Sequence, residues 1–231
     1  MEKRHKKTLP RTLRSATNSF KVVLIAVLFL PGLLATGYIP PHYKAVEPVP
    51  LVKSQPVEKP RPKELVKIFS IVQSNRPDII EHEAWELSEV IRKESFKYKL
   101  DPILVLAVID VESKFQFGAI SPAGARGIMQ IMPDTGKYLV QTVRELGNEF
   151  KFSKFTPEHL DNPTVNIKLG TYYLHDLRKS FRNLSTALIA YNLGPTALRI
   201  RMENEIEYTD QYAIAVLTAY RKYKKAKLPT F

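Results

Sequence analysis

Residues 102–113, PILVLAVIDVES, are apolar on almost every side of a helix, and this constrains the fold more than any other feature. Pro102 follows Asp101, a pair typical of a helix start. A helix that is apolar all round is stable only when buried, so this segment is expected to be the central helix. Its last turn carries Glu112, which would then lie beside an apolar core.

The sequence that surrounds this segment, from Glu64 onward, also favours helices. Apolar residues recur at helical spacing within 81–97. Further helix starts are indicated near Pro133, Pro163, Leu184, Pro195 and Thr209. No segment alternates convincingly between apolar and polar residues, so little or no sheet is expected. The predicted class is mainly α, a compact bundle of short helices.

The positive charge is concentrated at one end of the chain. Of the formal net charge of +12, the first 63 residues carry +9, from 12 Lys and Arg against 3 Asp and Glu. The remaining residues carry only +3, so no basic folded face is expected and a nucleic-acid partner is not predicted. The absence of cysteine excludes disulfides, thiolate metal sites and a cysteine nucleophile.

The N-terminal region divides into three parts by composition. A basic arm, 1–21, precedes an apolar segment, 22–39, and the segment 40–63 contains seven prolines. The apolar run suits a signal peptide cleaved near Gly37 or an uncleaved signal anchor, and the long basic arm favours the anchor. The proline-rich part is expected to be a semi-rigid spacer before a catalytic domain at 64–231.

Two locations follow from these alternatives. With an uncleaved anchor, the arm stays cytoplasmic and the domain is held in the periplasm at the inner membrane. With cleavage, the domain is periplasmic or secreted. The oligomeric state is not indicated by the sequence.

Glu112 is the residue with the most informative surroundings. Apolar neighbours disfavour the charged form of a carboxyl group, so its pKa rises and it can hold a proton near neutral pH. A general acid that cleaves a glycosidic bond needs this property. The alternative is an ordinary, partly solvated acid at a helix end.

Three later segments share a pattern with a known family. Ser113 follows Glu112, and the sequences SPAGARGIMQIMP, NPTVNIKLGTYYL and ALIAYNLG stand in order at 121–133, 162–174 and 187–194. Together they resemble the soluble lytic transglycosylase (SLT) catalytic domain family, which is goose-type-lysozyme-like. The resemblance covers approximately residues 85–225. It implies a lysozyme-like fold of the lysozyme-like α+β superfamily, and peptidoglycan glycan strands as the substrate.

The resemblance also implies roles in the loop that follows the central helix. Glu112 corresponds to the catalytic acid of the family. Ser121 is expected to position the N-acetyl group of muramic acid, and Gln130 to exchange hydrogen bonds with sugar substituents. Met132 would form an apolar wall for a sugar face.

Three residues near the C-terminus complete the implied site. Tyr191 corresponds to a tyrosine that faces the glutamate and would hydrogen-bond Glu112 or the sugar. Asn192 is expected either to contact substrate or to close the preceding helix in a turn. Tyr212 lies in TDQY, a partial match to the family pattern, and is a secondary candidate.

The sequence departs from the family between the acid and the loop, where Gln116-Phe117 replaces the usual Asn-Pro. HEAWE at 82–86 differs from a zinc-protease motif because Glu86 occupies the place of the second histidine. Neither a metal nor a cofactor is implied.

The expected reaction uses one carboxylate. Asp110 is two residues from Glu112 and so faces about 200° away around a helix. The resemblance implies that Glu112 acts as acid and then base, which yields a 1,6-anhydromuramic end. The alternatives are a lysozyme-type muramidase, and a non-catalytic peptidoglycan-binding or secretion-apparatus protein.

Overall fold

The structure, a computed structural model, describes residues 61–227. Nine α-helices and one 3₁₀ helix account for most of this range. The helices are α1 (Lys63–Asn75), α2 (Glu81–Lys97), α3 (Pro102–Ser113), α4 (Pro133–Thr142), α5 (Arg144–Phe150), α6 (Pro163–Phe181), α7 (Leu184–Leu193), α8 (Pro195–Glu203) and α9 (Gln211–Lys225), with the 3₁₀ helix at Pro157–Asp161.

The predicted mainly-α class is confirmed. Within residues 61–227, extended pairing is limited to two isolated bridges, Ile120 with Arg126 and Arg126 with Ile131. The predicted helix starts are observed as well, although the last helix begins at Gln211 instead of Thr209. The sequence did not predict α5, because only Leu146 of its seven residues is buried and no apolar stripe forms.

The α3 helix occupies the centre of the core, as its composition predicts. Every residue from Pro102 to Ile109 is buried. The Asp101 carboxylate accepts a hydrogen bond from the backbone N–H of Ile103 at 2.9 Å, which caps the helix start. Lys114, with φ of 53°, ends the helix in the left-handed region, one turn after the core-facing residues.

Three tyrosines of the last helix, α9, donate hydrogen bonds to carboxylates of α3 and of its cap residue Asp101. Tyr220 donates to Asp101 at 2.7 Å and Tyr223 donates to Asp110 at 2.9 Å. The third bond joins Tyr212 to Glu112. The pairing therefore fixes the end of α3 that carries Glu112, and it commits Asp110 to a structural contact.

The predicted basic arm, the apolar segment and all but the last three residues of the predicted spacer lie outside the described residues. Helix α1 begins at Lys63, one residue before the predicted start of the domain. Among the helices of the described range, none is both long and apolar enough to cross a bilayer.

Candidate active site

Glu112 lies in the last turn of α3 with its side chain largely withdrawn from solvent. Burial raises the pKa of Glu112 to about 7, and a hydrogen bond from Tyr212 partly opposes this rise. A carboxyl group with this pKa is substantially protonated at neutral pH and can also ionise there. It can therefore donate a proton and later accept one.

Tyr212 provides the direct partner of this carboxyl group. Its hydroxyl donates to Oε1 of Glu112 at 2.5 Å. Burial, followed by the nearby charge of Glu112, raises the pKa of Tyr212 well above its ordinary value. The phenol thus stays protonated and remains a donor when Glu112 ionises.

Tyr191 lies beside this pair but makes a different contact. Its buried hydroxyl donates to the backbone oxygen of Met129 at 2.9 Å. The ring of Tyr191 is nearly parallel to that of Tyr212, with 6.4 Å between centroids and 7° between planes. Tyr212, the secondary candidate, is therefore the tyrosine that hydrogen-bonds Glu112. Tyr191, which was expected to bond Glu112 or the sugar, instead supports the loop.

The loop at 119–132 uses several of its polar side chains internally. Both hydrogens of the Gln130 amide nitrogen are engaged, by the backbone oxygens of Ala119 at 2.9 Å and Gly127 at 2.8 Å. The predicted donor role of Gln130 toward a sugar is therefore not available in this arrangement. Its Oε1 accepts no hydrogen bond from the part of the chain that the structure describes.

Ser121 also takes part in the loop's own hydrogen bonds. Its hydroxyl oxygen accepts from the backbone N–H of Ala125 at 3.0 Å. The hydroxyl hydrogen has no acceptor within the described residues. Ser121 therefore shapes the turn while it keeps one donor for a ligand.

Asn166 of α6 is the residue in this region that the sequence did not single out. Its buried amide accepts from Met129 N–H at 2.7 Å and donates to the oxygens of Arg126 at 2.8 Å and Leu160 at 2.9 Å. A Cβ at Gly127 would lie 2.2 Å from the Asn166 amide nitrogen, so only glycine allows this approach. The NPTVNI segment held the signal, as an asparagine at a buried position of an amphipathic helix.

Ser113 joins the end of α3 to the same loop. Its buried hydroxyl donates to the backbone oxygen of Ile128 at 2.7 Å. The helix that carries Glu112 and the loop that carries Gln130 are thus connected directly. The contact is structural, because the hydroxyl is buried and bonded to backbone oxygens.

Asn192 and Met132 are both exposed, and they line the same cavity. Asn192 makes no side-chain hydrogen bond within the described residues. The turn after α7 is made by Gly194, with φ of 90°, and so it does not depend on Asn192. A contact between Asn192 and the substrate stays a prediction. Met132 is 42% exposed at the start of α4.

Two adjacent cavities share Asn192 and Leu193 as lining residues. The first has a volume of about 140 Å³ and includes Gln130, Met132 and Tyr191. The second, of about 230 Å³, includes Tyr212. A larger cleft of about 670 Å³ beside α1 and α2 contains none of the candidate residues, so its size does not mark it as the active site.

No group of three or more potential metal ligands occurs within residues 61–227.

Comparison with known families identifies the family of this chain. The sequence profile of the family described as "Transglycosylase SLT domain" matches residues 89–214, which is more than half of the chain. This chain belongs to the transglycosylase SLT domain family. The matched range of the SLT domain contains all seven candidate site residues.

Individual relatives support the same family. Membrane-bound lytic murein transglycosylase C from Photorhabdus laumondii is 31% identical over 115 residues, which cover 49% of this chain and 30% of the relative. The chain thus spans about a third of the length of the curated relatives it matches.

Solved structures agree on the fold of the SLT domain. An inactive glutamate-to-glutamine mutant of lytic transglycosylase Slt from Pseudomonas aeruginosa has a TM-score of 0.50 at 28% identity, over 59% of this chain and 24% of that one. The 70 kDa soluble lytic transglycosylase from Escherichia coli has a TM-score of 0.52 at 23% identity, over 69% and 29%. The predicted lysozyme-like fold is confirmed.

Proposed function

We propose that this protein is a peptidoglycan lytic transglycosylase with Glu112 as its single general acid and base. The observation that carries the proposal is the state of Glu112. It is a largely buried carboxyl group with a pKa raised to about 7, and it is hydrogen-bonded by Tyr212, which lines a cavity. The SLT family and the lytic transglycosylases among its relatives support the same reaction.

In the first step, protonated Glu112 donates its proton to the oxygen between N-acetylmuramic acid and N-acetylglucosamine. The bond between that oxygen and C1 of the muramic acid breaks, and the N-acetylglucosamine end leaves as an alcohol. The N-acetyl group of the muramic acid assists departure. Tyr212 continues to donate to the carboxylate that forms, which stabilises its charge.

In the second step, ionised Glu112 removes the proton from the C6 hydroxyl of the same muramic acid. The C6 oxygen attacks C1 and closes the 1,6-anhydro ring. Glu112 is protonated again and no water is consumed. We expect Oε1 of Gln130, the hydroxyl of Ser121 and the exposed side chain of Met132 to hold the sugar.

The surroundings of the other nearby acid support a route with one carboxylate. Asp110 accepts from Tyr223 at 2.9 Å and pairs with Lys114 at 3.1 Å. Burial and the hydrogen bond from Tyr212 account for the shift in the pKa of Glu112. A glycosidase of the ordinary type requires a partner carboxylate within about 5–10 Å.

Mass analysis of digested sacculi tests the reaction. A transglycosylase leaves anhydromuramic ends, one water lighter than the reducing ends that a muramidase leaves. Reducing ends would replace the proposal with the hydrolase alternative. No new ends with the wild-type protein, under conditions where a known muramidase acts, would support the non-catalytic alternative.

We also propose that residues 22–39 hold the enzyme at the inner membrane, with the catalytic domain in the periplasm. The apolar sequence of this segment and the membrane-bound relatives support the proposal. The intact mass of the protein from its native host tests it. A mature form that begins near Tyr38 would show cleavage and exclude the anchor.

A further inference from the structure

The 230 Å³ cavity beside Tyr212, here called the Arg201 cleft, contains a cation that the proposed reaction does not use. Arg201 lies in the last turn of α8 and is partly buried. The other lining residues are apolar, hydroxyl-bearing or amide side chains, with one acid at Glu207: Ile189, Asn192, Leu193, Glu207, Tyr208, Thr209 and Tyr212. The cleft therefore presents an arginine next to the tyrosine that contacts the catalytic acid.

The guanidinium of Arg201 is held in place by a backbone oxygen. Its Nη1 donates to the backbone oxygen of Glu207 at 2.9 Å. It has no salt-bridge partner among the residues that the structure describes. Arg126, by contrast, forms a bidentate pair with Asp161. Most of the N–H hydrogens of Arg201 thus have no acceptor within residues 61–227, and the group is already oriented by its one bond.

We propose that Arg201 binds a carboxylate carried by the muramic acid substituent of the glycan strand. This inference rests on the proposed function. N-acetylmuramic acid differs from N-acetylglucosamine by a lactyl ether that ends in a carboxyl group, either free or extended by a peptide with carboxylates of its own. The planar guanidinium fork matches a carboxylate and can bind it through two hydrogen bonds.

Arg201 also has a structural contact, since it bridges to the segment that leads into α9, and a cation is favourable at a helix C-terminus. The test must therefore separate charge recognition from support of this segment. A purely structural role would affect all strands alike. A carboxylate-binding role would affect charged strands more than uncharged ones.

The experiment uses the full chain with four substrates. Peptide-free strands with free lactyl carboxylates and peptide-bearing strands are each compared with the same strands after conversion of their carboxylates to amides. The wild-type enzyme is expected to favour a charged strand by about tenfold in kcat/KM, mainly through KM. The strand type that shows the preference identifies the source of the carboxylate.

Arg201→Gln is expected to reduce this preference to about twofold or less. Arg201→Lys should keep part of it, because the charge remains while the fork is lost. Arg199→Gln is the matched control. It removes the same charge from the same helix, but Arg199 lies over the ring of Phe181, outside the cleft, so the preference should persist.

The outcomes are distinguishable. If the wild-type enzyme cleaves none of the strands, the proposed function fails. If it cleaves charged and amidated strands equally well in both strand types, the carboxylate site is wrong and the function stands. An equal loss on charged and amidated strands in Arg201→Gln would also overturn the inference, because Arg201 would then only support the segment before α9.

Discussion

The two sides of the candidate active site use their polar atoms differently. On the helix side, Glu112 of α3 and Tyr212 of α9 bond to each other, and Glu112 has a raised pKa. On the loop side, residues 119–132 direct Gln130 and Ser121 back onto their own backbone. The helix side is therefore suited to proton transfer, whereas the hydrogen bonds of the loop side stabilise the conformation of the loop.

This difference separates two effects that a substitution can have. A change on the helix side should alter the dependence of activity on pH, because it alters the pKa of Glu112. A change on the loop side should alter stability and substrate binding, while the pH dependence stays the same.

Glu112→Gln should lower kcat by about a thousandfold or more, because the variant has no proton to donate to the leaving oxygen. The amide oxygen of the variant can still accept from Tyr212, so the fold should be retained. Release of anhydro ends from sacculi measures the loss. A variant that lyses walls as well as wild type would contradict the assignment of Glu112.

The same variant has a stability signature. The pKa of Glu112 is raised in the folded state, so the wild type loses stability as pH rises from its unfolded pKa of about 4.3 through about 7. Gln does not ionise, and Glu112→Gln should therefore be the more stable protein at pH 8, by about 1–3 kcal/mol. Thermal unfolding at pH 5 and pH 8 measures this difference. If the wild type and Glu112→Gln have equal unfolding midpoints at both pH values, the result would argue against a raised pKa of Glu112.

Asn166→Ala should have the largest effect on the loop side. It leaves the Met129 N–H and two backbone oxygens without their partner, at a cost of about 2–4 kcal/mol in the free energy of unfolding. Denaturant unfolding measures this. The pH at which activity falls on the alkaline side should stay near that of the wild type.

Asn162→Ala provides the matched control. Asn162 caps the start of the same helix, but its side chain accepts from a single backbone N–H, that of Val165, at 3.1 Å. Its removal should cost about 1 kcal/mol. If both variants lose the same stability, the three bonds of Asn166 do not hold the loop as the geometry indicates.

Much of the helix side could be predicted from the sequence, because its cause is local. The apolar composition of 102–111 predicts burial, and burial alone raises the pKa of a carboxyl group at the helix end. The partner of Glu112 could not be predicted in this way. Tyr212 is 100 residues away, and only the packing of α9 against α3 brings its hydroxyl to Oε1.

The sequence predicted which residues lie on the loop side, but it did not predict which hydrogen bonds they make. The resemblance placed Gln130 in the groove, yet the direction of its amide depends on the fold of the loop around Ala119 and Gly127. With φ of 50°, Gln130 adopts a conformation that is uncommon for a residue other than glycine. Such a backbone follows from tertiary contacts, and local propensity does not indicate it.

Tyr212→Phe should shift the pH dependence. The lost hydrogen bond stabilises ionised Glu112, so its removal raises the pKa of Glu112 above about 7, by about one unit. The alkaline limb of kcat should move upward, and kcat near neutral pH should fall about three- to tenfold, since the carboxylate formed in the reaction is less stabilised. Tyr220→Phe removes an α9-to-α3 bond that involves Asp101 and should leave the limb in place. If the alkaline limb of kcat moves equally in Tyr212→Phe and Tyr220→Phe, the shift would result from weaker packing of α9 and not from the lost bond to Glu112.

Ser121→Ala should have the smallest effect. The bond from Ala125 N–H stabilises the turn by about 1 kcal/mol, and the one remaining donor of Ser121 adds little if the loop side mainly keeps a shape. We expect kcat/KM to fall about threefold, with a small decrease in the unfolding midpoint and an unchanged pH dependence. A hundredfold loss of kcat/KM at an unchanged midpoint would mean that Ser121 binds the reacting sugar in the transition state. The loop side would then contribute to the chemistry directly, and the contrast between the two sides would fail.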